Sequence, residues 1–249
     1  MSLNTAITIG LQTALSLNRP AYSLQAFTSA LRKAPPGAQL APWLSNHDFG
    51  RIMASVGGDV RRAALGAVLL LTLPGTPIVY YGDEVGMAHG TDVVVDYRDR
   101  SRTPMAWTAG PGAGFTTGTP WLASAPDPGG ANVAAQDGVA GSLLTVYRQL
   151  IALRNRVGIL GTAALAVLAS PDPARSGLAG FVRAKGDRRV LVLVNAAEEA
   201  ADLAWDLAAV VTRPASCPVA NFTPPPLTPA TAPGWRPALP AFGYVICEW

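Results

Sequence analysis

The chain has 249 residues, of which 49% are hydrophobic and 14% charged, and its formal net charge at pH 7 is +3. This length suits one large domain or two smaller ones, and no apolar run reaches the roughly 20 residues of a membrane-spanning helix. We therefore expect no membrane as partner. We also expect no nucleic acid, because the basic pairs Arg61-Arg62 and Arg188-Arg189 are interpreted as solvated ends of elements. Residues 1–20 lack the basic start and cleavage site of a signal peptide, so a cytoplasmic protein is expected.

The first third of the sequence alternates short apolar strands with helices. The patterns predict a strand at 6–9, a helix at 22–33, a strand at 39–44, a helix from 60 to about 71 with Asp59 as N-cap, and a buried strand at 78–81. Such alternation is typical of a parallel α/β sheet or barrel, whose sites gather at the carboxyl ends of the strands. Two polar groups stand at such ends, Asn46-His47-Asp48 and Asp83-Glu84.

A long segment without periodicity follows, from residue 86 to about 140, and it is rich in Gly, Pro, Asp and Thr. A loop of this length in a compact domain is usually functional or disordered. The arginines, aspartate and tryptophan between 98 and 107 favour a surface for a polar ligand. A helix at 142–156, with Ser142 as N-cap, ends this part of the chain.

The hydrophobic period changes to two after Gly161. Strands are predicted at 165–169, 180–184, 189–195, 201–210 and 243–249, and the proline-rich stretch 214–240 is predicted to be irregular. We therefore predict two units: residues 1–160 form an α/β part and residues 161–249 an antiparallel β-sandwich. Cys217 and Cys247 either form a disulfide or remain two buried thiols.

Four segments resemble glycoside hydrolase family 13, the α-amylase family, and they occur in the family's order. The segment Trp43-Leu44-Ser45-Asn46-His47-Asp48, with Arg51, is similar to its Asn-His-Asp segment, and 73–87 is similar to its last barrel strand. Residues 102–107, with Ala106 in place of the usual glutamine, and 113–122 are similar to a loop of α-glucosidases, oligo-1,6-glucosidases and trehalose synthases. The helix from Ser142 resembles the closing helix. Covering about residues 20–249, the resemblance implies the C-terminal part of a (β/α)₈ barrel followed by the family's β-sandwich domain C.

The resemblance also implies roles for individual residues. Asp48 matches the family's third catalytic carboxylate, which holds sugar hydroxyls in the oxocarbenium-like transition state, and His47 would hydrogen-bond the same sugar. The substrate-binding residues that it implies are Asn46, Arg51, Arg102 and Trp107. Arg51 would orient Asp48 or line the entrance. Asp83 and Glu84 are interpreted as residues that brace a strand end.

The bond-breaking residues of that family are missing from this pattern. A retaining glycosidase needs a carboxylate nucleophile and a carboxylic general acid about 5 Å apart, and the family carries both on strands that precede the Asn-His-Asp segment. Residues 1–47 contain neither Asp nor Glu. We therefore interpret the chain as the C-terminal portion of such an enzyme, starting near the sixth barrel strand. An open barrel piece exposes strand edges, so we expect a homo-oligomer or association with the missing barrel part.

Three functions remain open on the sequence alone. The first is a portion of an enzyme that acts on α-linked glucose saccharides. The second is an independent, self-associating fragment with another hydrolase activity, such as an esterase; its site would use His47 or His89 in a serine triad, or Asp48 with Asp83 or Glu84. The third is a non-catalytic carbohydrate-binding module.

Other chemistry has little support in the sequence. There is no phosphate-binding glycine motif and no zinc-ligand spacing. Asp92, Asp96 and Asp99 are oxygen ligands in a loop, as calcium prefers, but they are interpreted as solvated charges. No metal or cofactor is expected.

Overall fold

The computed structural model describes residues 3–126, 130–172, 174 and 176–249. Its helices are α1 (Leu3–Ser16), α2 (Ala21–Lys33), α3 (Ile52–Ser55), α4 (Val60–Thr72), α5 (Val133–Gln136) and α6 (Leu143–Val157). Its strands are β1 (Ala164–Val167), β2 (Leu178–Lys185), β3 (Arg188–Asn195), β4 (Ser216–Ala220) and β5 (Tyr244–Glu248). Short 3₁₀ helices span Asp83–Val85, Tyr97–Ser101 and Pro111–Gly114. Within these residues, no helix is both long enough and apolar enough to cross a membrane.

The N-terminal segment is helical, so the strand predicted at 6–9 is wrong. One face of α1 is at most 2% exposed, and its spacing follows the helical period rather than a period of two. The buried residues of this face are Ile7, Leu11, Ala14 and Leu15. The helix predicted at 22–33 is confirmed as α2, which packs along α1. Gly10 permits this close packing, because a Cβ there would clash with the Cβ of Ala26.

Two extended segments, 39–44 and 78–81, lie where the sequence predicts strands of the barrel. The N–H of Ile78 donates to the carbonyl of Pro42 at 2.8 Å, Trp43 and Ile78 form a parallel bridge, and just before the second segment Thr76 donates to the carbonyl of Leu40 at 2.8 Å. The ladder stays too short for regular strands because Pro42 has no amide hydrogen to extend it. The second segment is also not buried as predicted, since Ile78 is 50% exposed.

Helix α4 confirms the helix predicted from residue 60. A side-chain oxygen of Asp59 accepts the backbone N–H of Arg61 at 2.8 Å, as expected of an N-cap. Every residue from Leu65 to Thr72 is buried, so this helix lies in the centre of the packing. Its last carbonyls accept hydrogen bonds from two arginines, Arg154 of α6 and Arg183 of β2. The C-terminus of α4 is therefore tied to both a helix and the sheet.

Helix α6 also begins and ends as predicted. The hydroxyl of Ser142 accepts the N–H of Thr145 at 3.2 Å, and Gly158 follows the last turn with a positive φ of 64°. Its buried face packs on α4. This helix links the long loop to the β unit.

The β unit is built on one antiparallel sheet with the strand order β1-β2-β3-β5-β4. Alternate residues of β3 belong to two different cores. Those in the core shared with the helices are Val190, Val192 and Val194, and those in the second core are Leu191 and Leu193. Because the first core runs from α1 to the sheet, the predicted division into 1–160 and 161–249 remains a prediction.

The second layer of the β unit is irregular. The strand predicted at 201–210 is wrong: Ala201 forms an isolated antiparallel bridge with Leu239, and Trp205 forms another with Trp235. Strand β4 was not predicted, because it lies within the proline-rich stretch and contains a proline next to a register shift. A disulfide between Cys217 and Cys247 joins β4 to β5, which answers the question left open by the sequence.

Candidate functional site

The Asn46-His47-Asp48 segment forms a turn at the end of the first extended segment. The side-chain oxygen of Asn46 accepts the backbone N–H groups of Asp48 and Phe49, each at 2.8 Å. This pattern is an Asx-type turn, which sets the direction of the following residues. Asn46 therefore shapes the backbone first, and its expected contact with substrate stays a prediction.

Asp48 lies between two arginines and a histidine. Its Oδ1 accepts a hydrogen bond from Nη1 of Arg98 at 3.1 Å and from Nη2 of Arg102 at 3.5 Å. Its Oδ2 lies 3.5 Å from Nε2 of His47. The Asp48 side chain remains 46% exposed, so a ligand can reach it. The structure thus brings together His47, Asp48 and Arg102, which the sequence singled out, and adds Arg98.

Two aspartates hold these arginines in place. Asp96 pairs with Arg98, and the hydrogen bonds from that side chain lower the pKa of Asp96 to about 2. The buried Oδ2 of Asp99 accepts three consecutive backbone N–H groups, starting at Val94, which lower the pKa of Asp99. Its Oδ1 lies 3.4 Å from Nη1 of Arg102. Reading these aspartates as solvated loop charges was therefore wrong, since both build the loop. The capping-box spacing Asp96-x-x-Asp99 was the available signal.

A cavity of about 660 Å³ opens beside Asp48 and shares Arg102 with it. Its aromatic lining consists of Trp107, Phe115 and Trp121, which are 49%, 56% and 60% exposed, together with Tyr81. Exposed aromatic faces flanked by a few polar groups suit a ligand with both apolar and hydroxyl-bearing surfaces. Trp107 and Arg102 were expected here. Phe115 and Trp121 were not, although both lie in the quoted loop.

Arg51 lies beneath this site rather than in it. Its side chain is fully buried, donates from Nη1 to the carbonyl of Tyr81 at 2.8 Å, and stacks near the rings of Tyr80 and Tyr81. Its backbone N–H donates to Nε2 of His89 at 2.8 Å, and burial lowers the pKa of His89, which keeps that nitrogen an acceptor. The expectation that Arg51 binds substrate, orients Asp48 or lines the entrance is thereby corrected, because a buried guanidinium cannot reach a ligand in the cavity.

Asp83 and Glu84 differ in environment although they are adjacent. Both lie in a 3₁₀ helix that follows the extended segment, so neither ends a regular strand. Glu84 lines the aromatic cavity. Asp83 is only 1% exposed, and burial raises its pKa to about 7, against opposing contributions from Ser45 and Arg51. Asp83 is thus enclosed in the interior, whereas Glu84 is partly exposed at the cavity, and the bracing role of both stays a prediction.

The raised pKa of Asp83 predicts a pH-dependent stability. Between its ordinary pKa of 3.8 and about 7 the folded chain binds more protons here than the unfolded chain, so stability falls as pH rises through this window. Asp83→Asn should remove this cost and raise the free energy of unfolding at pH 8 by up to about 4 kcal/mol, from roughly three pKa units at 1.36 kcal/mol each. Urea unfolding at pH 5 and pH 8 measures it, with the exposed Asp137→Asn as control. A loss of stability at pH 8 would show instead that the ionised carboxylate stabilises the fold.

Comparison with known families agrees with this geometry. The model of the α-amylase catalytic domain matches residues 10–163, more than half of the chain. The chain belongs to the α-amylase family. The matched range contains the turn at Asp48, the cavity and helix α6, and this family's catalytic domain is a (β/α)₈ barrel. The structure therefore contains part of such a barrel, followed by an antiparallel β domain.

Individual proteins are similar to this chain over part of their length. The chain is 30% identical over 196 residues to the probable oligo-1,6-glucosidase 2 of Bacillus subtilis, covering 64% of this chain and 34% of that protein. It is 40% identical over 154 residues to the trehalose synthase of Thermus thermophilus, and this match covers 58% of this chain and 15% of that protein. The solved structure of the A258V mutant of the trehalulose synthase MutB superposes with a TM-score of 0.75 at 24% identity. The match covers 93% of this chain and 47% of the MutB chain. The chain thus spans about a third of the Bacillus relative and about half of the solved structure.

Proposed function

We propose that this chain supplies the substrate-gripping part of a glycosidase or transglucosidase that acts on α-linked glucose saccharides. The observation that carries the proposal is Asp48, held by Arg98 and Arg102 at the edge of an aromatic cavity. Relatives are named as an oligo-1,6-glucosidase and a trehalose synthase. Mutants of MutB, which has a similar fold, were crystallised with glucose and with the substrate sucrose.

In this proposal each group has a separate task. Asp48 accepts hydrogen bonds from the hydroxyls of one sugar ring, and His47 hydrogen-bonds the same ring. These bonds strengthen as the ring flattens toward the transition state. Arg98 and Arg102 position the Asp48 carboxylate and prevent it from turning away. Trp107 packs against the apolar face of a neighbouring sugar ring.

The nucleophile and the general acid come from another segment in this proposal. Retaining cleavage needs two carboxyl groups about 5 Å apart on either side of the glycosidic bond. The chain associates with a segment that completes the barrel or, failing that, with a second copy of itself. A cytoplasmic location stays a prediction, and the Cys217–Cys247 disulfide argues against it, because a reducing cytosol disfavours disulfides.

Saccharide binding by the chain tests the proposal. Maltose and isomaltose are expected to bind with millimolar affinity and to change the tryptophan fluorescence, without turnover of either sugar. Trp107→Ala should weaken binding by about tenfold, because roughly 1.4 kcal/mol of stacking is lost. The control is Trp235→Phe in the second core, which should leave affinity unchanged. Robust hydrolysis by the chain alone, or ester hydrolysis that depends on His47, would contradict the proposal and favour an independent hydrolase.

A further inference from the structure

A second cavity, of about 290 Å³, lies between the C-terminal end of α6 and the β unit, and none of its lining residues lines the aromatic cavity. It is lined by four arginines: Arg156 at the end of α6, Arg188 and Arg189 at the start of β3, and Arg213 in the irregular layer. The sequence interpretation treated the Arg188-Arg189 pair as a solvated end of an element. The fold instead brings it together with two arginines from distant parts of the chain.

Three of these arginines are held by neutral groups. Arg188 donates to the carbonyl of Val157 at 2.9 Å, Arg189 to the carbonyl of Arg188 at 2.9 Å, and Arg213 to the carbonyl of Asp187 at 3.2 Å. Backbone carbonyls fix the direction of a guanidinium and leave its charge in place. These contacts thus orient three positive groups at the rim of the cavity without neutralising them.

One acidic side chain lines the cavity, and it forms an ion pair with the fourth arginine. Oε1 of Glu248 lies 2.7 Å from Nη2 of Arg156, and the Glu248 side chain is 20% exposed. The lining therefore carries four guanidinium groups against a single acidic side chain. An excess of fixed donors and positive charge favours an anionic ligand with several acceptor oxygens.

A buried donor in the same lining is unsatisfied. Trp249 is 92% buried, and its indole Nε1–H finds no hydrogen-bond partner in the part of the chain that the structure describes. An indole can only donate a hydrogen bond, and leaving such a group unpaired in the interior costs free energy. Because this nitrogen is itself shielded from solvent, we use the Trp249 indole as a reporter beside the cavity and assign ligand binding to the arginines.

We propose that this cavity binds a phosphate group, either as inorganic phosphate or carried by a small sugar phosphate. A tetrahedral oxyanion offers acceptors to several arginines at once, and its size suits the volume of the cavity. The inference is independent of the proposed glycosidase role, since it uses none of the residues around Asp48.

Titration of the ¹⁵N-labelled chain with inorganic phosphate tests the proposal. Of the six tryptophan indole signals, the one that Trp249→Phe removes should shift in a saturable way at millimolar phosphate. Glucose 6-phosphate and neutral glucose form the other two arms. Binding of the sugar phosphate at least tenfold tighter than of phosphate would identify a carried phosphate, equal binding would identify the free ion, and glucose should leave the signal unmoved.

Two variants of the lining should change phosphate affinity in opposite directions, as only an anion site explains, and a third variant is the control. Arg213→Gln should weaken phosphate binding by about tenfold, corresponding to one charge-assisted hydrogen bond. Glu248→Gln should strengthen it severalfold, because it frees Arg156 from its carboxylate. Arg32→Gln, an exposed residue of α2, makes the same charge change elsewhere and should alter affinity by less than twofold. A Trp249 signal that does not move, or equal effects of the two arginine variants, would overturn the proposal.

Discussion

Asp48→Asn is expected to lower kcat on maltose or isomaltose by about 10²–10³-fold in a hybrid enzyme. In this hybrid the chain replaces the matched third of the Bacillus subtilis oligo-1,6-glucosidase, which then contributes the rest of the barrel. Asparagine keeps the size of the side chain but loses the charge that meets the developing oxocarbenium ion. It also leaves Arg98 and Arg102 without their shared carboxylate. Because the lost interaction strengthens in the transition state, kcat should fall far more than KM rises.

The control for this experiment is Asp137→Asn. Asp137 is an exposed aspartate whose carboxylate pairs with Arg148 and which does not line the aromatic cavity. The same loss of charge there should change kcat by less than twofold. A kcat of Asp48→Asn within threefold of the unmodified hybrid would contradict the role of Asp48. An unmodified hybrid that folds but has no turnover would contradict the proposed function as a whole.

Arg183→Met is expected to lower the free energy of unfolding by about 3 kcal/mol. Arg183 is a fully buried residue of β2, and its three donor nitrogens reach the carbonyls of Thr72, Ala163 and Ala164 at 2.6, 2.6 and 3.4 Å. Methionine fills much of the same volume but cannot donate. Each carbonyl left without a donor costs roughly 1–3 kcal/mol. Part of this loss is offset because a desolvated guanidinium, with its pKa lowered by burial to about 10, no longer has to be buried.

Urea unfolding of the two chains measures this effect, with Lys185→Met as the control. Lys185 lies in the same strand, is exposed, and makes one hydrogen bond to Thr162. Its replacement should change stability by less than about 0.5 kcal/mol. A change in stability for Arg183→Met as small as that for Lys185→Met would contradict the prediction. Packing of the sheet on α4 would then hold the two units together without this residue.

The effect of Arg183 extends beyond its own hydrogen bonds. Together with Arg154, it satisfies the carbonyls at the C-terminus of α4, the helix at the centre of the barrel part. Cations at a helix C-terminus also interact favourably with the helix dipole. We therefore expect the barrel part and the β unit to unfold in one transition.

The elements predicted correctly are those whose determinants lie within a few residues. Asp59 and Ser142 cap α4 and α6 by contacts with residues two or three positions further on. The apolar period of α2 and the alternation in β3 likewise come from neighbours in the sequence. The Asn-His-Asp turn, one of the segments on which the family resemblance rests, is likewise local. It is held by hydrogen bonds that span at most three residues.

The errors occur where distant packing overrides local preference. β-branched residues of α1, such as Ile7 and Ile9, favour a strand locally, yet the segment is helical because its apolar face packs on other helices. Arg51 was expected at the site because it belongs to the segment that resembles the family's Asn-His-Asp segment, but its side chain is buried and donates to the carbonyl of Tyr81. Spacing along the chain does not tell where a long side chain ends.

By itself the sequence determined the helix caps, the change of period near residue 161 and the family, and it singled out Asp48 as a candidate site residue. Only the tertiary structure decided which side chains meet Asp48, since Arg98 lies 50 residues away. It also decided that Asp83 is buried while Glu84 lines the cavity, and that four arginines from three parts of the chain converge. Contacts of this kind depend on the path of the whole chain, whereas caps and periods depend on neighbouring residues.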